Sequence, residues 1–563
     1  MISNLIKTTT FKWLMLVLLL SIPSFSTLLQ PGYFGMHDDL QVMRIWEMDF
    51  CFRDGQIPCR WVPDMGFGFG YPLFNFYPVM PYYLGELIYK FVSIFTNTMA
   101  LIVSVKILFI LSFLVSAVSM FFLGRKFWGN LGGLLSALFY VYAPYHSVDV
   151  YVRGAMAESW SLAWTPAVFL AIYLSIQKPI LKNILFLAVS TGLFLTSHNP
   201  MALVFTPLMA VWALLWIWQE RKLSVIIKLV VAALWGWGLS AFFSLPVLLE
   251  GKNVHLETLF IGYFNYLAHF VDLNQLFIST FWGYGGSIWG PSDGMSFQIG
   301  WLHWGTVLAC LIAGALLWRK ERQMSLILFL FGLSFWGAAF LMHPRSNFIW
   351  EKITILQTLQ FPWRLLAVTI FSSSFVAGSL VALPLSKKLR SGLAVVMVVA
   401  LLVLYQGFFK IERPIPLTDQ EKLSGALWDL QRTAGIFDYL PKTAKFPPGS
   451  AALETAEILE GQALVTNFQR GTNWLFFNIE SSSSATVRLP VIDFPIWKVF
   501  LDQKQISFDN KNDLGQPTFV VPAGKHTVFA KLFDSPIRSL ANIISFLSLS
   551  AVFIAVYKLI KKP

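Results

Sequence analysis

Long apolar runs of about 17–25 residues, enough to cross a bilayer as a helix, recur along the chain between short polar connections. They lie near 12–30, 100–123, 131–148, 159–176, 182–198, 201–218, 225–248, 299–318, 324–342, 365–385, 391–409 and 537–557, and each predicts a membrane-spanning helix. The run from Pro78 to Asn97 is also aromatic and apolar, but its Glu86 and Lys90 fall four apart, on one helical face. A charge at mid-membrane costs about 2.5–3.5 kcal/mol on insertion scales. The segment 78–97 therefore predicts an interfacial helix rather than a crossing.

That choice fixes the sides. With 78–97 at the surface, Arg125/Lys126, Lys178/Lys182, Arg221/Lys222, Arg319/Lys320/Arg322, Lys387/Lys388/Arg390 and Lys558/Lys561/Lys562 all share the side of Lys7 and Lys12. Were it to cross, every later cluster would face outward, against the enrichment of short cytoplasmic loops in Lys and Arg. The expectation is a multi-pass protein of the cytoplasmic (plasma) membrane with twelve spans and both termini inside. The apolar stretch after Lys12 would also suit a signal peptide. It continues through Leu29 and more spans follow, so it reads as an uncleaved first span.

The segments left outside are 31–99, 149–158, 249–298, 343–364 and 410–536. The last is long enough to be a domain. A short helix is predicted around Ser424 to Thr433. Alternation then predicts strands at Thr486–Val491, Lys498–Leu501, Thr518–Val521 and His526–Phe533, with a polar loop at Ser481 to Ser484 and a turn at Pro522-Ala523-Gly524-Lys525. A small extracytoplasmic β-sandwich is expected. The chain divides into a transmembrane module, 1–409, with its first external loop at 31–99; a mostly-β domain, 410–536; and a last helix with a basic cytoplasmic tail, 537–563.

Composition agrees with lipid as the main solvent. Of 563 residues, 56% are hydrophobic and 13% charged, whereas a soluble chain carries about 25% charged residues. Aromatics reach 16%, as lipid-facing surface and interfacial belts require. The net charge of +12 is absorbed by the clusters named above, with no block of like charge, so no nucleic-acid partner is expected. Three cysteines exclude a disulfide scaffold and a CxxC metal site. Cys51 and Cys59 share one external loop, where a disulfide and two free thiols are both compatible with the spacing.

The unusual polar chemistry gathers on the external side. His37-Asp38-Asp39 opens the first loop, and adjacent carboxylates there suit a general base or a cation ligand, or simply a solvated loop. Gly66-Phe67-Gly68-Phe69-Gly70-Tyr71-Pro72-Leu73-Phe74-Asn75-Phe76-Tyr77-Pro78 lacks the strand and the Lys-Ser/Thr of a phosphate loop. It reads as a tightly turned aromatic segment on the membrane, facing a lipid chain. In the second loop, Asp149, Arg153 and Glu158 lie within ten residues between apolar helices. Arg153 suits a phosphate, Asp149 or Glu158 an acceptor hydroxyl or metal, and an Arg153–Glu158 salt bridge is the plain alternative. His198 sits at an external helix end, and Arg364 enters a helix at headgroup level, as a phosphate contact or a snorkelling anchor. No HExxH, GxSxG, Walker motif or GxGxxG in a βαβ context occurs.

These residues, together with Gly55-Gln56-Ile57-Pro58, Arg60-Trp61, Tyr151 to Glu158, Gln360 to Arg364 and Pro522-Ala523-Gly524-Lys525-His526, carry a resemblance. The chain resembles bacterial and archaeal membrane proteins labelled "6-pyruvoyl-tetrahydropterin synthase-related", and through them the YfhO-type proteins and the GT-C class of polyprenyl-phosphate-sugar glycosyltransferases. No HxH zinc pair stands behind the pterin label. The resemblance implies a GT-C-like helical module with juxtamembrane helices, an acidic catalytic position at Asp38 or Asp39, and a second acidic position at Asp149 or Glu158. The Asp-Glu pair of protein mannosyltransferases and the WWD-type motif of oligosaccharyltransferases are missing.

The function expected is transfer of a sugar from a polyprenyl-phosphate carrier to an extracytoplasmic acceptor, a cell-envelope glycan or lipid, with inversion. Asp38, Asp39 and Glu158 are the candidate catalytic residues. His37, Asp149, Arg153, His198 and Arg364 are the candidate substrate-binding residues. A divalent metal, Mg or Mn, is the one cofactor considered, with no ligand set specified. Partners are membrane lipid, the polyprenyl-phosphate-sugar donor and the acceptor, with Trp474 and Trp497 available to stack on sugar rings or to fill a sandwich core. The alternatives are a non-enzymatic lipid or glycolipid transporter and an envelope assembly factor.

Overall fold

A computed structural model describes residues 9–288, 290 and 292–561. Lys7 and Lys562, two of the residues used to assign sides, lie outside the described residues. Eight helices are long and apolar enough to cross a membrane, and shorter apolar helices stand at Thr9–Ser24, Leu181–Leu195 and Trp301–Leu317. The longest, Ala100–Val141, is two helices: Gly129, at φ 74° and ψ −177°, breaks it. Each predicted span therefore has a helical counterpart among the described residues. The protein is a polytopic α-helical membrane protein.

The two halves of Ala100–Val141 fold back on one another through glycine. A Cβ on Gly133 would lie 2.7 Å from the Phe121 carbonyl oxygen, and one on Gly124 would lie 2.8 Å from the Ser136 side chain. Close backbone approach and interhelical hydrogen bonds take over in lipid, where burying apolar surface gains little. Trp128 Nε1 and Ser136 Oγ both donate to the Phe375 carbonyl, at 2.9 and 3.1 Å. The receiving segment, Pro362–Val381, is wholly buried among the other helices, whereas Pro536–Ile560 leaves Phe546, Phe553 and Ile560 exposed. The predicted span 131–148 overshoots, because Pro144 starts a new short helix and Val148–Val152 is a π-turn.

Between the first two spans, Gln41–Arg53 and Met80–Val92 are 13-residue helices. Thirteen residues reach about 20 Å, short of the roughly 30 Å hydrocarbon core. Met80–Val92 turns Leu87 and Phe91 outward, while its buried Glu86 and its Lys90 meet Asp49 from the neighbouring helix. Cys51 and Cys59 are joined in a disulfide.

After the span ending near Tyr405 the chain returns to the first loop. Pro414–Ile415 pairs with Tyr33–Phe34. Asp419 accepts from the Leu101 and Ile102 amides at 2.8 and 3.1 Å, capping the helix that begins at Ala100. Helix Gly425–Thr433 follows. Eight strands then form two antiparallel sheets. One orders Ala463–Arg470, Trp474–Ser481, Gly524–Leu532, Trp497–Leu501 and Lys504–Ile506; the other orders Glu457–Glu460, Ala485–Arg488 and Thr518–Val521. Leu475, Phe477 and Ile479 alternate inward against Val487, Phe519 and Val521 from the second sheet. The Pro522-Ala523 turn carries the chain from one sheet to the other, so the strands on either side of it do not pair.

Most of the aromatic glycine segment packs against protein, and its last residues, Phe76, Tyr77 and Pro78, line a cavity. Phe69, Tyr71, Phe74 and Phe76 are buried between the first loop and the β-sheet region. The Phe67 amide donates to the Arg432 carbonyl, and the Ile492 amide to the Phe69 carbonyl. Trp61 packs at 5.9 Å from both Phe494 and Trp497. Its alternation of Gly and Phe reads as surface because the burying partner lies far along the chain. Trp497 is 5% exposed and belongs to the sandwich core. Trp474 donates to Asp54 at 2.9 Å, and Thr472 donates to the same carboxylate through its amide and hydroxyl. Trp497 therefore serves packing, and Trp474 docks the sheet on the first loop.

Candidate functional site

A cavity of about 950 Å³ opens where the first loop, the 149–158 turn, the 256–264 and 355–364 stretches and the 430–439 segment meet. His37, Asp38, Asp39, Arg153, Glu158, His198 and Arg364 all line it. Asp149 does not; it lies fully buried behind Arg153. Leu203, Val247, Leu256, Leu259, Phe260 and Ile355 make much of the remaining wall apolar.

One wall is cationic. Arg153 donates through Nη1 to Asp149 Oδ1 at 2.5 Å and to Glu158 Oε2 at 2.9 Å, and its guanidinium sits 4.6 Å over the Trp363 ring. Arg364 Nε lies 3.7 Å from the same Glu158 oxygen and has no hydrogen-bond partner, although it is buried. The rest of Arg364 is fixed by the Leu359 carbonyl and Gln360 Oε1, at 2.8 and 3.0 Å. Gln360 holds φ at 62°, an unusual conformation for a non-glycine residue and one that marks functional sites more often than loops at large. Burial, then the Glu158 carboxylate, pushes Asp149 well above the usual carboxylate range despite Arg153. Glu158 lies between the two guanidiniums, with Asp149 behind Arg153. Arg364 Nε is left as a buried donor without a hydrogen-bond partner, and a charged donor of that kind suits an anion.

Another stretch of the lining is acidic, and it separates two adjacent aspartates. Asp38 Oδ2 accepts from Arg44 at 2.7 Å, Gln41 at 3.1 Å and Tyr77 at 3.2 Å. Its Oδ1 has no hydrogen-bond partner among the described residues. Asp39 is engaged on both oxygens, by Tyr33 and by Lys422 at 2.6 Å. Asp38 thus keeps one free oxygen for a ligand, and Asp39 is committed to holding the returning chain. His37 contacts the Tyr284 carbonyl at 3.0 Å, and His198 keeps a buried Nδ1 without a partner. The snorkelling alternative for Arg364 fails, because the residue is 9% exposed and lines the cavity. The salt bridge between Arg153 and Glu158 does form.

The donor set does not fit a divalent metal. Arg44 occupies Asp38 Oδ2, Tyr33 and Lys422 occupy Asp39, and no group of three His, Cys, Asp or Glu side chains converges among the described residues.

Several wall residues were not singled out from sequence. Arg44 and Tyr77 are one such pair, stacked 4.0 Å apart. Asp438 is another, brought in by the segment before the sheets. It carries no side-chain hydrogen bond among the described residues, and burial pushes it up to about 6, with Arg44 pulling it down and Asp38 pushing it up. Nothing in the sequence around Phe437-Asp438-Tyr439 distinguishes this acid from the others of the segment. Only the return of the chain over the first loop does.

No family model matches the chain, and no curated protein sequence does. Solved structures resemble it in part. The apo oligosaccharyltransferase of Archaeoglobus fulgidus is 12% identical with a TM-score of 0.43, over 73% of this chain and 57% of that one. The arabinofuranosyltransferase AftD from mycobacteria is 13% identical with a TM-score of 0.41, over 70% and 26%. ArnT from Cupriavidus metallidurans, bound to undecaprenyl phosphate, is 15% identical with a TM-score of 0.35, over 69% and 63%. The chain spans a little over half the length of the oligosaccharyltransferase it resembles.

Proposed function

We propose that this protein is a membrane glycosyltransferase that moves a sugar from a polyprenyl-phosphate carrier to an acceptor on the outer face. The observation that carries the reading is the lining of the cavity: Arg153 and Arg364, the half-free Asp38, and apolar walls around them. A phosphate at the end of a lipid chain matches a desolvated guanidinium pair beside apolar surface. The basic clusters lie at the helix connections opposite the cavity, which supports an external site with 410–536 outside.

In this reading the acceptor hydroxyl gives its proton to Asp38 Oδ1 as its oxygen attacks the anomeric carbon. The bond from that carbon to the phosphate oxygen breaks, and its electron pair leaves with the polyprenyl phosphate. Arg153 and Arg364 hold the developing charge, and Glu158 keeps the two guanidiniums apart and oriented. A single displacement of this kind inverts the anomeric centre.

The test is release of polyprenyl phosphate from labelled polyprenyl-phosphate sugars by membranes holding wild type, Asp38→Asn or Asp39→Asn. Turnover lost in Asp38→Asn with the protein still folded supports the assignment. Equal turnover in all three removes the base. No turnover by wild type with any donor and acceptor points instead to a lipid-binding transporter.

A further inference from the structure

We propose that Asp438 is an acceptor-binding residue and that the acceptor is a polyhydroxylated compound, a sugar: Asp438 accepts a hydroxyl next to the one that Asp38 addresses. This rests on the transferase reading for its second carboxylate, Asp38, but not for the binding itself.

The geometry singles out Asp438. The half-buried Asp438 carboxylate lines the cavity and the described residues donate nothing to it, so its acceptor capacity is open to a ligand. Asp39 has both oxygens filled and Asp38 has one filled. The vacancies of the acidic wall are therefore Asp38 Oδ1 and the Asp438 carboxylate, with Arg44 interacting with both.

The turn that presents Asp438 is held from below. Tyr71 donates its hydroxyl to the Gly435 carbonyl at 2.5 Å and accepts from the Tyr439 amide at 2.8 Å. Gly435, at φ 67°, allows the bend. The same stretch turns Leu430 and Phe437 outward at the cavity, 63% and 54% exposed. Free carboxylate oxygens beside exposed apolar and aromatic surface match a sugar ring, whose hydroxyls donate in its plane while its C–H faces pack on apolar groups. An acceptor with one isolated hydroxyl would leave Asp438 to water.

The groups facing Asp438 are Arg44, Asp38, Tyr71 and Tyr439. Burial raises both tyrosines, so neither ionises near neutrality. With Asp438 near 6, the carboxylate accepts hydroxyls above that pH and loses this capacity as it protonates below it.

The experiment is saturation-transfer NMR on the full chain in detergent with methyl hexopyranosides and methyl pentofuranosides, at about pH 7.5 and about pH 5. Polyprenyl-phosphate binding is measured on the same samples. Expected is sugar binding by wild type at the higher pH, weakened about tenfold in Asp438→Asn and by acidification. The pH effect should vanish in Asp438→Asn and persist in Asp38→Asn, while polyprenyl phosphate still binds all three. No sugar bound by wild type, equal binding by Asp438→Asn, or a pH effect that follows Asp38 overturns the proposal. Should Asp438→Asn misfold, the wild-type pH dependence and Asp438→Glu decide. Failure to bind polyprenyl phosphate with Asp438-dependent sugar binding intact would sink the transferase reading alone.

Discussion

The Asp38 amide donates to the Arg153 carbonyl at 2.9 Å, and the His37 amide reaches the Val152 carbonyl beside it at 3.0 Å. These main-chain bonds tie the acidic wall to the cationic wall directly, through the residues that carry the charges. Gly154 makes the approach possible. It holds φ at 62°, and a Cβ there would lie 2.3 Å from Met36 Sδ and 2.7 Å from Met36 Cβ. Its carbonyl also accepts from Gln41 at 2.8 Å, and Gln41 in turn supports Asp38.

Gly154→Ala should therefore separate the walls rather than unfold the protein. Left-handed backbone and crowding together predict a loss of about 1–3 kcal/mol. Turnover should fall by more than that destabilisation explains. Adding Met36→Ala should recover thermal stability in part, because it removes the contacts with Met36 Sδ and Cγ but neither the Cβ contact nor the backbone cost. A Gly154→Ala enzyme with normal turnover would show that the main-chain bonds do not set the site.

Asp38→Asn and Asp39→Asn should fail differently. The first removes the free oxygen, so turnover is lost, and it also leaves the nearly buried Arg44 facing a neutral amide, at a cost of about 1–3 kcal/mol. The second leaves Lys422, with a side chain 2% exposed, facing a neutral amide. A cost of about 1–3 kcal/mol follows, tempered by the partial exposure of Asp39. Thermal unfolding alongside turnover separates the two. An Asp39→Asn protein that is fully stable but inactive would reverse the roles assigned here.

Arg364→Lys keeps the charge but not the fork. A lysine cannot hold the Leu359 carbonyl and Gln360 while aiming a second N–H at a phosphate. Affinity for polyprenyl phosphate should fall about tenfold or more, about 1.4 kcal/mol or above. The effect should depend weakly on salt, since the wall is buried. A titration of wild type and variant with polyprenyl phosphate at two ionic strengths checks both statements.

The sequence made the helices legible because each had to be apolar over its whole crossing, and it made the external clustering of charge legible because lipid tolerates charge nowhere else. Arg153, Glu158 and Arg364 stood out for that reason, and the cavity brings them together. The strands Ala463–Arg470 and Trp474–Ser481 were missed. The first exposes polar side chains along much of its length, and the second carries Trp474 and Phe476 on the face opposite its core residues, which blurs the alternation. Asp438 and the burial of Tyr71 were beyond reach because they depend on the chain crossing back over the first loop, a contact that local patterning does not encode.

Tyr71→Phe tests that crossing at one atom. The substitution keeps the ring, 1% exposed, and removes the hydroxyl that serves both Gly435 and Tyr439. Two main-chain groups then lose their partner, at a cost of about 1–3 kcal/mol, borne locally by the 435–439 turn. Amide exchange at Tyr439 should quicken, while exchange in the sheets and in helix Gln41–Arg53 stays unchanged. Sugar binding should weaken in the same direction as in Asp438→Asn, and polyprenyl-phosphate binding should hold, because Arg153 and Arg364 sit on other segments. Unchanged exchange at Tyr439 would mean that the turn stands without Tyr71, and that Asp438 owes its place to packing alone.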